Sequence, residues 1–155
     1  MKVKVKKLHP DAVIPSYAKP GDAGMDLVAV SRNIDEHGNL VYGTGLAFEI
    51  PKGYVGLVFP RSSVSKYNLQ LTNNVGVIDS GYRGEVTAKF KGSFSAFRRD
   101  LNGDSAYTLC KGDIYDVGER IAQMIIIPYP QIDFEEVDDL SETERGAGGY
   151  GSTGR

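Results

Sequence analysis

The chain has 155 residues, a length that fits one domain with a substantial core. Its 18 basic and 20 acidic residues give a formal net charge of −2, which argues against a nucleic-acid-binding protein or a polybasic membrane anchor. One cysteine, Cys110, and two histidines, His9 and His37, exclude an internal disulfide and a structural zinc site. The longest aliphatic run, Met124–Ile127, is too short to span a bilayer, and no signal-like apolar stretch opens the chain. We therefore expect a cytoplasmic protein.

Alternation of apolar and polar residues with period two predicts that short β-strands dominate the chain. In chain order, the predicted strands cover residues 3–8, 46–50, 54–59, 86–90 and 121–127. Clusters of Gly, Pro, Asn and Asp separate them, as expected for turns. Many short strands with such turns between them predict an antiparallel sandwich or barrel.

One short internal helix is predicted, in which Ser62 or Ser63 caps a turn that carries Val64 and Tyr67 on one side. The same serines, together with Arg61, are also a candidate anion site, because a helix N-terminus offers free N–H groups. The residues alone leave capping and anion binding both open.

Two aspartates beside glycine-containing turns are candidates for chemistry. Asp26 follows Ala23-Gly-Met25, where a carboxylate either stabilises the loop or holds the water shell of Mg²⁺. Asp79 precedes Ser80-Gly81, where it either accepts local hydrogen bonds or acts as a general base. The surrounding segment, residues 73–85, is predicted to form a β-hairpin.

The C-terminal part changes in composition. Residues 133–144 carry seven acidic side chains and are predicted to be a solvated connector, and residues 145–155 contain five glycines. A G-x-G-x-x-G pattern from Gly149 to Gly154 lacks the strand and helix that a dinucleotide site requires. The tail is therefore either disordered or ordered by something that it binds, since glycine-rich backbone brings N–H groups close to phosphate oxygens.

Taken together and in this order, five segments resemble the five motifs of the trimeric deoxyuridine triphosphatase (dUTPase) family. The segments are Asp22–Leu27, Pro60–Val64, Asn73–Glu85, Gly118–Met124 and Arg145–Gly154. The resemblance implies an all-β, barrel-like jelly roll with one short helix and a flexible Gly-rich tail. It also implies a homotrimer whose active sites are shared between subunits, without nucleic-acid or membrane partners.

The reaction that this resemblance implies is the hydrolysis of dUTP to dUMP and pyrophosphate with Mg²⁺, through water attack on the α-phosphate. This reaction would limit uracil incorporation into DNA and supply dUMP for dTMP synthesis. The implied organisation is a β domain over residues 1–132, an acidic connector over 133–144 and a flap over 145–155 that closes an active site.

The resemblance also assigns roles by position. It implies that Asp79 is the general base, that Asp26 contacts the metal through water, that Asn73 helps to read uracil and that Tyr82 packs under the deoxyribose. The remaining implied substrate-binding residues are Arg61, Ser62, Ser63, Gln123, Arg145, Tyr150, Gly151, Ser152 and Thr153. Of these, Tyr150 would stack on the base and stands where the family most often has Phe.

Two other functions compete with this interpretation. A dCTP deaminase-like enzyme would have a similar fold and similar phosphate-binding segments. A nucleotide-gated regulatory protein would act by binding a partner, and the candidate surface is the segment 90–112, which is longer than a minimal family member needs. The hydrolase-like sequence Ile78-Asp-Ser-Gly-Tyr82 disfavours the deaminase.

Overall fold

The computed structural model describes residues 1–92 and 114–149, in which the regular secondary structure is almost entirely antiparallel strand. The elements are β1 (Lys4–Lys7), β2 (Met25–Val28), β3 (Ser31–Ile34), β4 (Leu40–Gly43), β5 (Leu46–Glu49), β6 (Tyr54–Pro60), a 3₁₀ helix (Ser62–Lys66), β7 (Leu69–Leu71), β8 (Gly76–Ile78), β9 (Thr87–Gly92) and β10 (Arg120–Pro128). The predicted strands recur here as β1, β5, β6, β9 and β10. In these residues, no helix is long and apolar enough to cross a membrane.

The strands are arranged in three sheets. β1 pairs with β5, a second sheet has the order β2–β10–β6–β8, and a third has the order β3–β4–β9–β7. Inward and outward side chains alternate as the sequence predicts: in β9, Ala88 and Phe90 are buried while Thr87 and Lys89 are exposed. The all-β prediction is confirmed.

An aromatic cluster fills the centre of the core. The rings of Tyr42, Phe90 and Tyr115 meet edge-on or tilted, with centroids 5.7–6.2 Å apart. The buried Tyr42 hydroxyl donates a hydrogen bond of 2.9 Å to the Tyr115 carbonyl, so that its polar end is satisfied. Burial away from water raises the pKa of Tyr42 to about 12. The Tyr115 backbone is thereby tied to β4, the strand that carries Tyr42.

The short helix forms where the sequence predicts it, but it is not capped as expected. It is a five-residue 3₁₀ helix whose N-cap is Arg61, in extended conformation with φ −81° and ψ 155°. No side chain makes a capping hydrogen bond, so the prediction that Ser62 or Ser63 caps this turn is wrong. A helix this short offers little dipole, and any anion binding here depends on side chains. Val64 and Tyr67 pack against the core, as expected.

The segment 73–86, which we call the motif-3 arm, does not form the expected hairpin. Its strand β8 pairs with β6, with Ile78 opposite Gly56 and Gly76 opposite Val58. Its return end is bound elsewhere: the Val86 N–H donates to the Leu46 carbonyl at 2.9 Å. The arm therefore bridges from the sheet of β6 to the segment around β5. The hairpin was expected because Ser80-Gly81 favours a turn. A turn pattern reports only local structure, however, and the partner of β8 is decided by tertiary contacts.

Candidate active site

The central strand β10 brings together three of the five motifs. Gln123 of β10 lies opposite Asp26 of β2 on one side and opposite Phe59 of β6 on the other. Because Arg61 follows β6 directly, its side chain reaches across to the same place. The register of one strand thus gathers residues that lie up to 97 positions apart in sequence (Asp26 and Gln123).

A carboxylate between two guanidinium groups is the electrostatic centre of this region. Arg61 Nε donates to Asp26 Oδ1 at 2.6 Å, and Arg120 Nη1 donates to Asp26 Oδ2 at 3.2 Å. Asp26 is 27% exposed and Arg61 is 23% exposed, so that pair is largely shielded from water. Two positive groups on one carboxylate leave a net positive charge, which suits an anionic ligand.

Arg120 was not predicted as a site residue, although it lies in the fourth motif. The β10–β2 register shifts between Arg120 and Ala122, and such an irregularity re-aims the side chains beside it. Arg120 could have been identified as a site residue only from the pairing of the fourth motif with the first. That pairing becomes visible only when the strand order is known.

Two further hydrogen bonds fix the position of the Arg61 guanidinium. Its Nη1 donates to Ser63 Oγ at 3.1 Å and to the Arg120 carbonyl at 3.4 Å. Ser63 Oγ lies 3.4 Å from the Tyr115 hydroxyl. Ser62 is exposed next to them. Tyr115 is a second member of this region that the sequence did not single out, because nothing in its neighbourhood distinguishes it from an ordinary core aromatic residue.

Gln123 is held at both ends of its amide group. Its Nε2 donates to the Pro60 carbonyl at 3.1 Å. Its Oε1 lies against Gly24, where an added Cβ would stand only 2.7 Å from that oxygen. The glycine of the first motif therefore has a steric role: it leaves room for Gln123.

The donor set around Asp26 decides how Mg²⁺ would be held. Both carboxylate oxygens already accept hydrogen bonds from guanidinium groups. Among residues 1–92 and 114–149, no three His, Cys, Asp or Glu side chains cluster in a way that could bind a metal. Mg²⁺ commonly keeps several waters and binds substrate phosphates with one or two carboxylates. The residues fit a metal that is carried by phosphate oxygens and touched by Asp26 through water.

The motif-3 arm lines two small cavities. One, of about 220 Å³, is lined in part by Asn73, Gly76 and Thr87. The other, of about 140 Å³, is lined in part by Asp79, Tyr82 and Thr87. Asp79 and Tyr82 are joined by a turn in which the Tyr82 N–H donates to the Asp79 carbonyl at 3.1 Å. The arm thus carries an exposed carboxylate and a 45% exposed aromatic ring side by side.

Within one chain, the arginine group and the Asp79 group stay apart. Asp79 follows Ile78, which pairs with Gly56, whereas Arg61 follows Pro60 at the other end of β6. At about 3.3 Å per residue, these two positions are about 15–20 Å apart along the strand. That distance is too large for both side chains to contact the same phosphate.

The connector and the beginning of the tail are exposed. Every residue from 129 to 147 is classed as exposed, including Arg145. Arg145 Nε donates to the Gly148 carbonyl at 3.0 Å in a local turn in which Gly146 has φ +50°. The predicted tail residues Tyr150, Gly151, Ser152 and Thr153 lie outside the described residues, as does most of the segment 90–112.

Comparison with known proteins agrees with this arrangement. The dUTPase family model matches residues 11–95 and 107–154. The deoxyuridine 5'-triphosphate nucleotidohydrolase of Nautilia profundicola is 41% identical over 157 aligned residues. The alignment covers 100% of both chains. The enzyme of the same name from Thermobifida fusca is 39% identical, over 99% of this chain and 79% of its own length.

Solved structures of dUTPases are also similar to this chain. The dUTPase of Staphylococcus bacteriophage 80alpha with dUPNHPP has a TM-score of 0.79 and 31% identity, over 99% of both chains. A mutant dUTPase from phage phi11 of S. aureus, described as coordinating a structural Mg(II) ion, has a TM-score of 0.68 and 26% identity, over 90% of this chain and 98% of its own. These likenesses confirm the jelly-roll-like fold that the resemblance implied. With the family model, they show that the chain belongs to the dUTPase family.

Proposed function

We propose that this chain hydrolyses dUTP to dUMP and pyrophosphate. The observation that carries the proposal is the motif-3 arm, where the Asp79 carboxylate and the Tyr82 ring line one cavity beside a second cavity lined by Asn73. The proposal is supported because a carboxylate that could act as a base and an aromatic ring that could pack against a sugar line the same cavity. The reaction would remove dUTP from the pool used for DNA synthesis and supply dUMP for dTMP.

The arginine group is proposed to hold the triphosphate. Phosphoryl transfer depends mainly on alignment and charge neutralisation, and a positively charged pair around one carboxylate supplies both. Arg61 is braced by Ser63 and Asp26, so its guanidinium needs little further ordering when an anion binds. Ser62 and Gln123 are proposed as additional donors.

The arm is proposed to select the base and sugar and to activate water. Backbone N–H and C=O groups next to Asn73 would match the acceptor–donor–acceptor edge of uracil, whereas cytosine would leave groups unpaired at about 1–3 kcal/mol each. Tyr82 would occupy the space of a 2′-hydroxyl. Asp79 would orient the attacking water and accept its proton as the bond to the α-phosphate forms.

Mg²⁺ is the proposed metal. When bound, it would neutralise charge on the phosphate oxygens. Asp26 would contact it through water, because each of its carboxylate oxygens accepts one guanidinium hydrogen bond and keeps a second acceptor position. The structural Mg(II) ion reported for the phage phi11 protein supports a role for this metal in the family.

A homotrimer with shared active sites is proposed for two reasons. First, one chain keeps Arg61 and Asp79 apart, so a complete site needs residues from another copy. Second, the connector exposes large apolar side chains: Phe134 is 96% exposed and Leu140 is 88% exposed. Such side chains are expected to be covered by a neighbouring subunit. We also propose a division into a β domain (1–132), a connector (133–144) and a flap (145–155). The flap residues that would close over the nucleotide are Arg145, Tyr150, Gly151, Ser152 and Thr153. A cytoplasmic location is proposed because the substrate is an intracellular nucleotide.

Pyrophosphate release with Mg²⁺ from dUTP, dCTP, UTP and dTTP tests the activity. We expect selective turnover of dUTP. Release of ammonia from dCTP would instead support the deaminase. A folded oligomer that turns over none of the four nucleotides would contradict the proposal and favour the regulatory function, for which a pull-down with and without dUTP is the next measurement.

A further inference from the structure

Glu85, at the return end of the motif-3 arm, is held in a built backbone site. Its Oε1 accepts the Gly45 N–H at 2.7 Å. The next residue continues the attachment: the Val86 N–H donates to the Leu46 carbonyl at 2.9 Å, and its own carbonyl accepts from Thr44 Oγ1 at 2.7 Å. Thr44 is completely buried. The base of the arm is therefore fixed to one short segment, residues 44–46.

Gly43 makes room for the Glu85 carboxylate. A Cβ added at Gly43 would stand 2.6 Å from Glu85 Oε1 and 2.5 Å from Ser31 Oγ. Gly45 has φ +65°, and a Cβ there would stand 2.7 Å from the Cβ of His9. A side chain at position 43 would collide with the Glu85 carboxylate, whereas one at position 45 would collide with His9, Ala12 and Val30. A shorter acid at position 85 would not reach the Gly45 N–H.

A direct contact connects Glu85 with Tyr82. The Tyr82 hydroxyl donates to the Glu85 backbone carbonyl at 3.0 Å. The ring lies over Gly84, where an added Cβ would overlap the phenol oxygen. The ring of Tyr82 is 45% exposed and lines the cavity with Asp79. Its position is consequently set by the backbone of residues 84 and 85, which the Glu85 side chain anchors.

We propose that Glu85 is a positioning residue that fixes Tyr82 and thereby sets the discrimination between deoxyribose and ribose nucleotides. This inference rests on the proposed function, because it concerns how the same site excludes a 2′-hydroxyl. Glu85 borders the same cavity as Asp79 and Tyr82, and its carboxylate accepts the Gly45 N–H. It acts through the carbonyl that holds the Tyr82 hydroxyl.

The test compares kcat/KM for dUTP and for UTP in Glu85→Ala, Glu85→Asp and Glu85→Gln. The free energy of one hydrogen bond corresponds to about a tenfold change in an equilibrium or rate constant. The ratio of kcat/KM for dUTP to kcat/KM for UTP is therefore expected to fall about tenfold in the Ala and Asp variants, which lose the bond to the Gly45 N–H. Gln keeps an acceptor oxygen at the same length and is expected to keep the ratio within about threefold. Glu49→Ala, which breaks only an exposed ion pair with Lys4, is the matched control and is expected to leave the ratio unchanged.

A double-mutant cycle with Tyr82→Phe separates positioning from a general loss of stability. Tyr82→Phe removes the hydroxyl while the carboxylate stays seated, and Glu85→Ala is expected to relax the ratio little further in its presence, because the two changes break one connection. A purely structural Glu85 would lower thermal stability and slow both substrates equally. An unchanged ratio in the Ala and Asp variants, with dUTP turnover intact in the wild type, would overturn this inference alone. Absence of dUTP turnover by the wild type would overturn the proposed function and this inference with it.

Discussion

Asp26 and Arg61 form an ion pair, with 2.6 Å between the carboxylate Oδ1 and the guanidinium Nε, although they lie on segments 35 residues apart. They meet because β10 stands between β2 and β6 in the sheet. Arg120 shares the same carboxylate at 3.2 Å. The chain therefore prepares a positive site before any anion binds, while each oxygen of the carboxylate keeps one acceptor position.

Replacing Arg61 with Ala is expected to lower kcat/KM for dUTP by about 10- to 100-fold, since charge-assisted hydrogen bonds contribute about 1.5–3 kcal/mol. Steady-state kinetics with dUTP and Mg²⁺ measure this. Lys52→Ala, which removes an exposed positive charge in the turn before β6, is the control and should change little. Equal losses in both variants would mean that only overall charge matters.

Replacing Asp79 with Asn is expected to reduce kcat by about 10²- to 10⁴-fold, the range that general bases contribute. Nucleotide binding should persist, because the amide has the same shape as the carboxylate. Single-turnover kinetics and the Kd of a non-hydrolysable dUTP analogue measure the two effects separately. Weak binding together with low turnover would make Asp79 a structural residue of the turn.

Replacing Gly24 with Ala is expected to displace Gln123, because the new Cβ would stand 2.7 Å from its Oε1. A displaced phosphate-binding side chain should lower kcat/KM about tenfold, equivalent to one hydrogen bond. Gly92→Ala is the matched control, since its Cβ would meet its nearest neighbour at 3.7 Å, an ordinary contact. If the two variants behave alike, Gln123 does not hold substrate.

Acid stability should depend on Asp35, in the turn between β3 and β4. The Asn39 backbone N–H, followed by the Asn39 side chain, Lys89 and the His37 N–H, holds the pKa of Asp35 at about 2 in the folded state. The unfolded value is about 3.9, so the stabilisation is complete above that pH and is lost as pH falls toward 2. The thermal midpoints of wild type and Asp35→Asn should differ at pH 7 and converge below pH 4. Glu36→Gln, in the same turn, is the control, and a difference that does not change with pH would contradict this assignment.

Local patterns predicted the strands β1, β5 and β9, in which apolar and polar side chains alternate, and the strands β6 and β10, which are mostly apolar runs. They did not predict that β8 pairs with β6 instead of with the residues that follow it in the motif-3 arm. That pairing depends on packing between segments that are distant in sequence. The importance of Glu85 and Arg120 was missed for the same reason. Glu85 is recognised only when Gly43 and Gly45 are seen around it, and Arg120 only when the register of β10 is known.

Mixing two inactive variants tests most directly whether active sites are shared between subunits. Arg61→Ala and Asp79→Asn chains, co-expressed with different tags and purified as mixed oligomers, should recover dUTP hydrolysis. If a site takes Arg61 from one subunit and Asp79 from another, one of the three sites in each mixed trimer, about one third of all sites, has both native residues. Activity close to that fraction of the wild-type value is expected. Activity no higher than the average of the two separate variants, in oligomers shown to contain both chains, would contradict it.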